Sequence, residues 1–329
     1  MVVPTHMQAV VHTAPATAEQ LHIGVVPVPV PRPDELLVRV RATALNRADI
    51  LQRRALYPPP AGASDILGLE VVGDVVQACG AWQVGQRVMA VVTGGGYAEY
   101  CCVPAAEAMA VPDTVGDVQA AAIPEAFLTA WLNLITLGAL QPGESVFVHA
   151  GASGVGSMAI QLAHHWGARV FAAAGTPTKR QLCSTLGADM VCDSRHPPHA
   201  DAVKSATNGV GVHLILDMLG APAWDDNTAM LARGGRLLLI GFLAGAKAPI
   251  DLGVILGKNL TITGTTLRRT PAGAKAALVA AAHTWLMPRL TCGDIVAVVD
   301  STYPMAQVGA AHARMEANMN AGKIVLVWP

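Results

Sequence analysis

The chain has 329 residues, with 22 basic against 23 acidic side chains, a net charge of -1 and no block of like charges, so a nucleic-acid footprint or an acidic tail has no support and small molecules are the expected partners. This length exceeds the usual size of one hydrophobic core, and two domains with a cleft are expected. Hydrophobic residues make up 52% and the mean hydropathy is +0.42, yet 120-AAAIPEAFLTAWLNLITLGAL-140 carries Pro124, Glu125 and Asn133, whereas a spanning helix needs about 20 residues nearly free of charge.

Along the chain, MVVPTH at the start has neither the basic region nor the apolar core of an export signal, and a cytoplasmic location is expected. The first ~125 residues read as β-rich, since MQAVVHT, ELLVRVRATAL, EVVGDVVQA, QRVMAVV and AEYCCV are short valine-rich runs. Between them lie PVPVPRPDE, LYPPPAGAS and TGGG, where proline lacks a ladder donor and glycine tolerates positive φ. From about Glu125 the texture becomes strand and helix in alternation: SVFVHAG, GSMAIQLAHHWGA, RVFAAAG, TKRQLCSTLGA, DMVCD, ADAVKSAT, VHLILDMLG, NTAMLAR, GRLLLIG and LTITGT. Continuous apolar strands separated by helices predict a parallel sheet buried on both faces, a doubly wound domain. After Leu267 come one or two helices over GAKAALVAAAHTWLMPRL, the apolar IVAVVDSTYP, a helix over 306-AQVGAAHARMEANM-319 and a terminal IVLVW that is expected to rejoin the first domain. The six cysteines form no C-x-x-C pair and read as reduced thiols.

The stretch 146-VFVHAGASGVG-156 runs from a strand into a helix starting near Val155, whose first N–H groups suit a phosphate. In the dinucleotide fingerprint Gly151 would form the tight turn, Ser153 takes the place of the second glycine, Gly154 adds room beside it, and Gly156 lets helix and strand pack closely. Ser153 is a departure that a small side chain tolerates. A P-loop is excluded because the motif ends Gly-Ser-Met instead of Gly-Lys-Ser/Thr. The turn is read as holding a dinucleotide pyrophosphate.

Six segments carry a resemblance: 45-LNRADILQRRALYPPPAGASDILGLEVVG-73, 93-TGGGYAEYCCVP-104, 122-AIPEAFLTAW-131, HAGASGVG, 216-LDMLG-220 and 315-MEANMNAGKIVL-326. From about Met7 to Pro329 the chain resembles the quinone oxidoreductase branch of the medium-chain dehydrogenase/reductase superfamily. The resemblance implies an α/β fold, with a Rossmann-type doubly wound parallel sheet over 126–266 and a β-rich, GroES-like catalytic domain formed by 1–125 and 267–329. It also implies NADPH as cofactor and a homodimer, for which the sheet edge near 260-LTITG-264 is the candidate contact. Zinc-dependent relatives use a cysteine where this chain has Asn46 and a Gly-His-Glu run where it has Gly68-Leu69-Glu70, so no metal is expected. By resemblance Asn46 would approach nicotinamide and substrate, Tyr57 would face the substrate as a donor, and Thr129 would hold the carboxamide. Val155, Gly241, Phe242 and Asn320 would join the glycine turn in binding the cofactor. Alternatives stay open for three of these: Tyr57 as a loop tyrosine packed on 58-PPP-60, Asn46 as a helix cap, and Phe242 as plain core.

Cofactor choice is legible after the second strand, 169-RVFAAAG-175. Where an acidic residue would bind both ribose hydroxyls and repel a 2′-phosphate, the chain has Gly175 and Thr176, followed by Lys179 and Arg180. NADPH over NADH is therefore expected, with Ser194 standing where relatives commonly have a tyrosine. The expected activity is reduction of quinones or related α,β-unsaturated carbonyls. The alternatives are an enoyl or alkenal reductase on the same fold, or a non-catalytic NADPH-binding protein with structural or RNA-binding duties.

Overall fold

A computed structural model describes residues 3–329; Met1 and Val2, which open the expected first domain, lie outside the described residues. The chain divides into two compact units, the residues up to Leu128 together with Arg268–Pro329, and Thr129–Leu267.

The first unit begins with β1 (His6–Val11), β2 (His22–Pro27) and β3 (Glu35–Ala44), then helix α1 (Arg47–Arg53). It continues through β4 (Glu70–Gln77), β5 (Arg87–Val91), β6 (Tyr100–Pro104), β7 (Ala108–Ala110), the helix α2 (Asp117–Ala121) and α3 (Pro124–Trp131), inside which the division between units falls. The second unit alternates as expected: β8 (Ser145–Val148), α4 (Gly154–His165), β9 (Arg169–Ala174), α5 (Pro177–Thr185), β10 (Met190–Asp193), α6 (Ala200–Ala206), β11 (Val212–Asp217), α7 (Trp224–Met230), β12 (Leu231–Leu239), α8 (Gly253–Lys258) and β13 (Thr261–Gly264). The chain then returns to the first unit with α9 (Ala272–Cys292), β14 (Val299–Pro304), α10 (Val308–Glu316) and β15 (Lys323–Val327).

In the second unit the six strands run parallel in the order β10-β9-β8-β11-β12-β13. The order reverses between β8 and β11, and in such sheets ligands bind outside the carboxyl ends of the strands at that reversal. Every residue of β8 and nearly all of β11 are buried, which is why these strands read as unbroken apolar runs and not as an alternation. The helix expected over NTAMLAR stops at Met230, because Leu231–Arg233 already belongs to β12 and the following Gly234 takes φ +75°. His164 and His165 end α4 in solvent, as expected of a helix terminus.

The first unit holds a seven-stranded sheet, β14-β15-β3-β4-β5-β7 with β6 on β3, beside the β1–β2 ribbon. The terminal run rejoins this unit as expected: β15 lies antiparallel to β3, pairing Val325 with Ala44. This register brings Lys323, at the start of β15, to the end of β3 and the start of β4. Among the described residues no helix is long and apolar enough to cross a membrane.

Phe147 in β8 is fully buried, with ring centroids 4.9 Å from His149 and 6.0 Å from His199. Phe147→Ala is expected to lower stability by about 3–5 kcal/mol, read from the urea midpoint.

Candidate functional site

In the second unit the turn between β8 and α4 is built on two close approaches. A Cβ on Gly156 would stand 2.4 Å from the Ala150 carbonyl oxygen and 2.8 Å from Gly151 Cα, so only glycine lets α4 begin so close to the strand. Gly151 is hemmed in by Cys183, Ala172 and Ile160. Ser153 is the N-cap: its Oγ accepts from the Gly156 N–H at 3.0 Å, which explains how the chain does without the second glycine. Gly154 and Val155 open the first turn, where N–H groups have no carbonyl four residues back, and both are partly exposed. These features fit a pyrophosphate.

The loops around the turn are braced by a buried chain that the sequence reading did not single out. His149 Nε2 lies 2.6 Å from Asn227 Oδ1, Asn227 Nδ2 donates to Asp217 Oδ2 at 3.0 Å, and Asp217 Oδ1 accepts from the N–H groups of Leu219 (2.6 Å) and Gly220 (3.2 Å). Burial pushes the Asp217 carboxyl above its usual range. Its only sequence sign was the motif 216-LDMLG-220. Gly241 lies against Met218, and Phe242, 60% exposed after β12, is not core.

At the carboxyl end of β9, Gly175 faces Ser194, whose Oγ would be 3.5 Å from a Cβ there, and Arg195 at 4.0 Å. Thr176 caps α5 by accepting from the Lys179 N–H at 3.2 Å. The nearby carboxylate, Asp193, comes from the neighbouring strand and is bound by Arg180 at 2.8 Å and Arg195 at 2.6 Å. The hydrogen bonds from Arg195 hold it far below the ordinary carboxylate range. Arg180 and Arg195 thus flank one carboxylate, a net positive corner, and Lys179 precedes Arg180 in the first turn of α5. Arg195 was missed because it follows the next strand, and only the β9–β10 pairing brings it here. Thr129, in α3, accepts on its carbonyl from Asn133 Nδ2 at 2.8 Å.

In the first unit Asn46 caps α1 and belongs to a buried polar cluster. Its Nδ2 donates to Glu70 Oε1 at 2.9 Å, and its Oδ1 accepts from Lys323 Nζ at 2.6 Å. The same ammonium donates to Glu70 Oε1 at 2.6 Å and to the Leu45 carbonyl at 2.8 Å. Asp49 accepts from the N–H groups of Asn46 (2.7 Å) and Gly68 (3.0 Å), and burial pushes its carboxyl up to about 6. Glu70 Oε2 accepts from the Glu125 N–H at 2.9 Å; burial first, and the Glu70 carboxylate second, push the Glu125 carboxyl up to about 8. The cluster continues outward through Tyr97 to His312, whose Nε2 lies 3.3 Å from the Tyr97 hydroxyl and whose Nδ1 lies 3.1 Å from Arg53 Nη1. Because arginine can only donate, Nδ1 is the acceptor and Nε2 carries the hydrogen. Burial, with Arg53 beside it, pushes His312 down to about 3. Asn320 donates to the Gly322 carbonyl at 2.8 Å in the turn before β15. Tyr57 is half-buried on the loop after α1, its ring 5.5 Å from the Arg268 guanidinium.

The donor set does not suit a catalytic zinc. Leu69 offers no lone pair, the Asn46 amide is used at both ends, and an ammonium already occupies Glu70.

Residues 32–113 match the family described as alcohol dehydrogenase GroES-like domain, and residues 154–282 the one described as zinc-binding dehydrogenase. Two mycobacterial structures are similar over 98% of this chain and 99% of theirs: one complexed with NADPH (32% identity, TM-score 0.87) and one of a quinone oxidoreductase (31%, 0.85). The CurK enoyl reductase structure is 25% identical over 99% of this chain and 100% of its own, with a TM-score of 0.85. A phenolphthiocerol/phthiocerol polyketide synthase of Mycobacterium tuberculosis is 32% identical over 91% of this chain, which spans 14% of that protein's length.

Glu125 is expected to be protonated at neutral pH. An acid whose folded pKa lies above its unfolded value of 4.5 stabilises the fold fully below 4.5, and loses that contribution as pH rises through about 8. Glu125→Gln, which cannot ionise, should therefore gain thermal stability relative to the parent as pH is raised from 6 to 9 (about one unit past that value), and a difference in Tm that stays flat with pH would contradict this.

Proposed function

The chain belongs to the medium-chain dehydrogenase/reductase superfamily, in its quinone-reductase branch, and is an oxidoreductase with a nicotinamide cofactor; from that premise we propose an NADPH-dependent, metal-free reductase of quinones or related α,β-unsaturated carbonyls. The observation that carries the cofactor choice is the pair of guanidinium groups, Arg180 and Arg195, at the end of β9, both already tied to the Asp193 carboxylate, with Lys179 preceding Arg180 in the first turn of α5. A 2′-phosphate would find cations there, and the Asp193 carboxylate is already paired. Gly151, Ser153, Gly154, Val155 and Gly156 would receive the pyrophosphate, with Gly175, Thr176 and Ser194 on the ribose side. Thr129, Gly241 and Phe242 would flank the nicotinamide half.

The bound reduced nicotinamide would supply a hydride. The chain's own task is to fix the acceptor and to donate a hydrogen bond to its oxygen, and positioning alone can lower a barrier by roughly 7 kcal/mol or more. Tyr57 is the proposed donor, since its hydroxyl has no partner among the described residues. Asn46, held at both ends of its amide by Glu70 and Lys323, is too constrained to swing and would contribute a fixed polar edge.

The enoyl reductase reading is supported by the likeness to the CurK enoyl reductase and to polyketide synthase chains. A near-neutral charge supports neither reading that dispenses with catalysis. All six cysteines are unbridged, which supports a cytoplasmic setting. We also propose a homodimer, because β13 pairs only with β12 and leaves its other edge open. Light scattering should return twice the 34.0 kDa chain mass.

NADPH absorbance followed with a small quinone, an alkenal and an aldehyde tests the activity. Consumption with the quinone or the alkenal is expected, and binding of NADPH without consumption of any acceptor would end the enzyme reading. Lys179→Ala should weaken NADPH by roughly 10- to 100-fold, a charge-assisted hydrogen bond being worth about 1.5–3 kcal/mol, while NADH barely changes. Tyr57→Phe should lower kcat by about 0.5–2 kcal/mol in barrier terms and leave cofactor affinity intact.

A further inference from the structure

Arg268 stands in the first unit without a counter-charge and with one idle donor. It lies in the single turn Leu267–Arg269 at which the chain re-enters that unit, and it is only 5% exposed. Its Nε and Nη2 both donate to one carbonyl, that of Thr93, Nε at 2.9 Å. Nη1 is buried and meets no acceptor among the described residues. No carboxylate of the described residues lies within the 4.0 Å of an ion pair. Asp49 and Glu125 act on it only from farther away, and burial holds its pKa below the ordinary arginine value.

A guanidinium cannot escape such a setting by losing its proton, and a buried ion without a partner is strongly unfavourable. The anchor itself is rigid: Thr93 leads into Gly94, Gly95 and Gly96, where the Gly95 N–H donates to the Ile66 carbonyl at 2.8 Å and a Cβ on Gly94 would stand 2.5 Å from the Ser64 carbonyl oxygen. The guanidinium is therefore held in place through two of its three nitrogens, while the third, Nη1, meets no acceptor among the described residues. Its cover is the Tyr57 ring, at 5.5 Å, the range of a cation–π contact. That ring sits half-buried on a loop.

We propose that Arg268 is a catalytic residue that receives the acceptor's oxygen: Nη1–H is a second donor kept for that oxygen beside the Tyr57 hydroxyl, and the Tyr57 ring is a cover that shifts off the guanidinium when a flat conjugated acceptor enters. The inference rests on the reductase reading. In that reaction the acceptor takes up a hydride from reduced nicotinamide, which is left oxidised by two electrons. An enone takes the hydride at its β carbon, its C=C pair shifts, and its oxygen bears one negative charge until water protonates the α carbon. A quinone correspondingly becomes a hydroquinone monoanion that a proton from water completes. A fixed donor aimed at the oxygen where charge develops favours the transition state over the ground state. Because the acceptor has to take the place of an aromatic ring over a guanidinium, quinones are the acceptor class that fits best, ahead of aliphatic alkenals.

The test uses the whole chain with Arg268→Met and Arg268→Lys. With NADPH and a small quinone, Arg268→Met should lower kcat by about 100- to 1,000-fold and leave the KM for NADPH unchanged, as expected for loss of one donor to a developing oxyanion. Arg268→Lys should restore part of the loss. Independently of turnover, 4-nitrophenol is titrated with protein, its ionised oxygen standing in for the acceptor oxyanion. The parent chain should stabilise the coloured phenolate and lower its apparent pKa, and Arg268→Met should not. A parent chain that consumes no NADPH with any acceptor would bring down the reductase reading. Turnover by the parent with kcat preserved in Arg268→Met would overturn the role of Arg268 alone. Should Arg268→Met fail to fold, a phenolate shift unchanged in Arg268→Lys would overturn it equally.

Discussion

The ammonium of Lys323 is the charge on which the first unit is organised. Asp49 and Glu70 are both completely buried, and two carboxylates cannot stay ionised side by side in a dry interior without a cation among them. Lys323 supplies it with three short hydrogen bonds, to Glu70, Asn46 and the Leu45 carbonyl. Those partners lie at the end of β3, the cap of α1 and the start of β4, so one side chain fixes where three elements meet. The carboxyl groups around it share the consequence: Asp49 is raised to about 6 and Glu125 to about 8, because one positive charge does not offset the burial of three acids.

The same cluster bears on the choice between metal and no metal. Where relatives described as zinc-binding dehydrogenases match the chain's second half, the first unit presents an asparagine, a leucine and a glutamate already paired with an ammonium. A cation is present in that corner, but it is part of the chain and its coordination is closed. Chemistry that needs an electrophile must then look to donors with capacity left, and the Tyr57 hydroxyl and Arg268 Nη1 are two such donors in this unit.

The second unit was legible almost completely, since strands buried on both faces leave apolar runs that no other element produces, and a glycine turn between such a strand and a helix has few other uses. The early end of α7 was not legible: Leu231 and Ala232 suit a helix as well as a strand, and only pairing with β11 decides. Within the site, residues contiguous with a motif could be singled out from the sequence, as Ser153 and Lys179 were. Arg195, Asp217, Lys323 and Arg268 could not, because each acquires its meaning from a partner brought in by pairing of strands or by return of the chain. Asn46 shows both sides, for its capping position is visible in the sequence while the two partners of its amide are 24 and 277 residues away.

The return of the chain also sets an order of events during synthesis. β3 must wait for β15, about as far along the chain as any two paired strands here, whereas the strands of the second unit find partners within a few dozen residues. On the ribosome the inserted unit can complete its sheet while the first unit still has an open edge and an uncompensated Glu70. Long-range pairing of this kind is slow, and the waiting intermediate exposes strand edges that a crowded solution can capture. Strand β15 therefore acts as a closing latch, and the time for which the nascent first unit stays vulnerable is set by translation of the segment that carries Lys323.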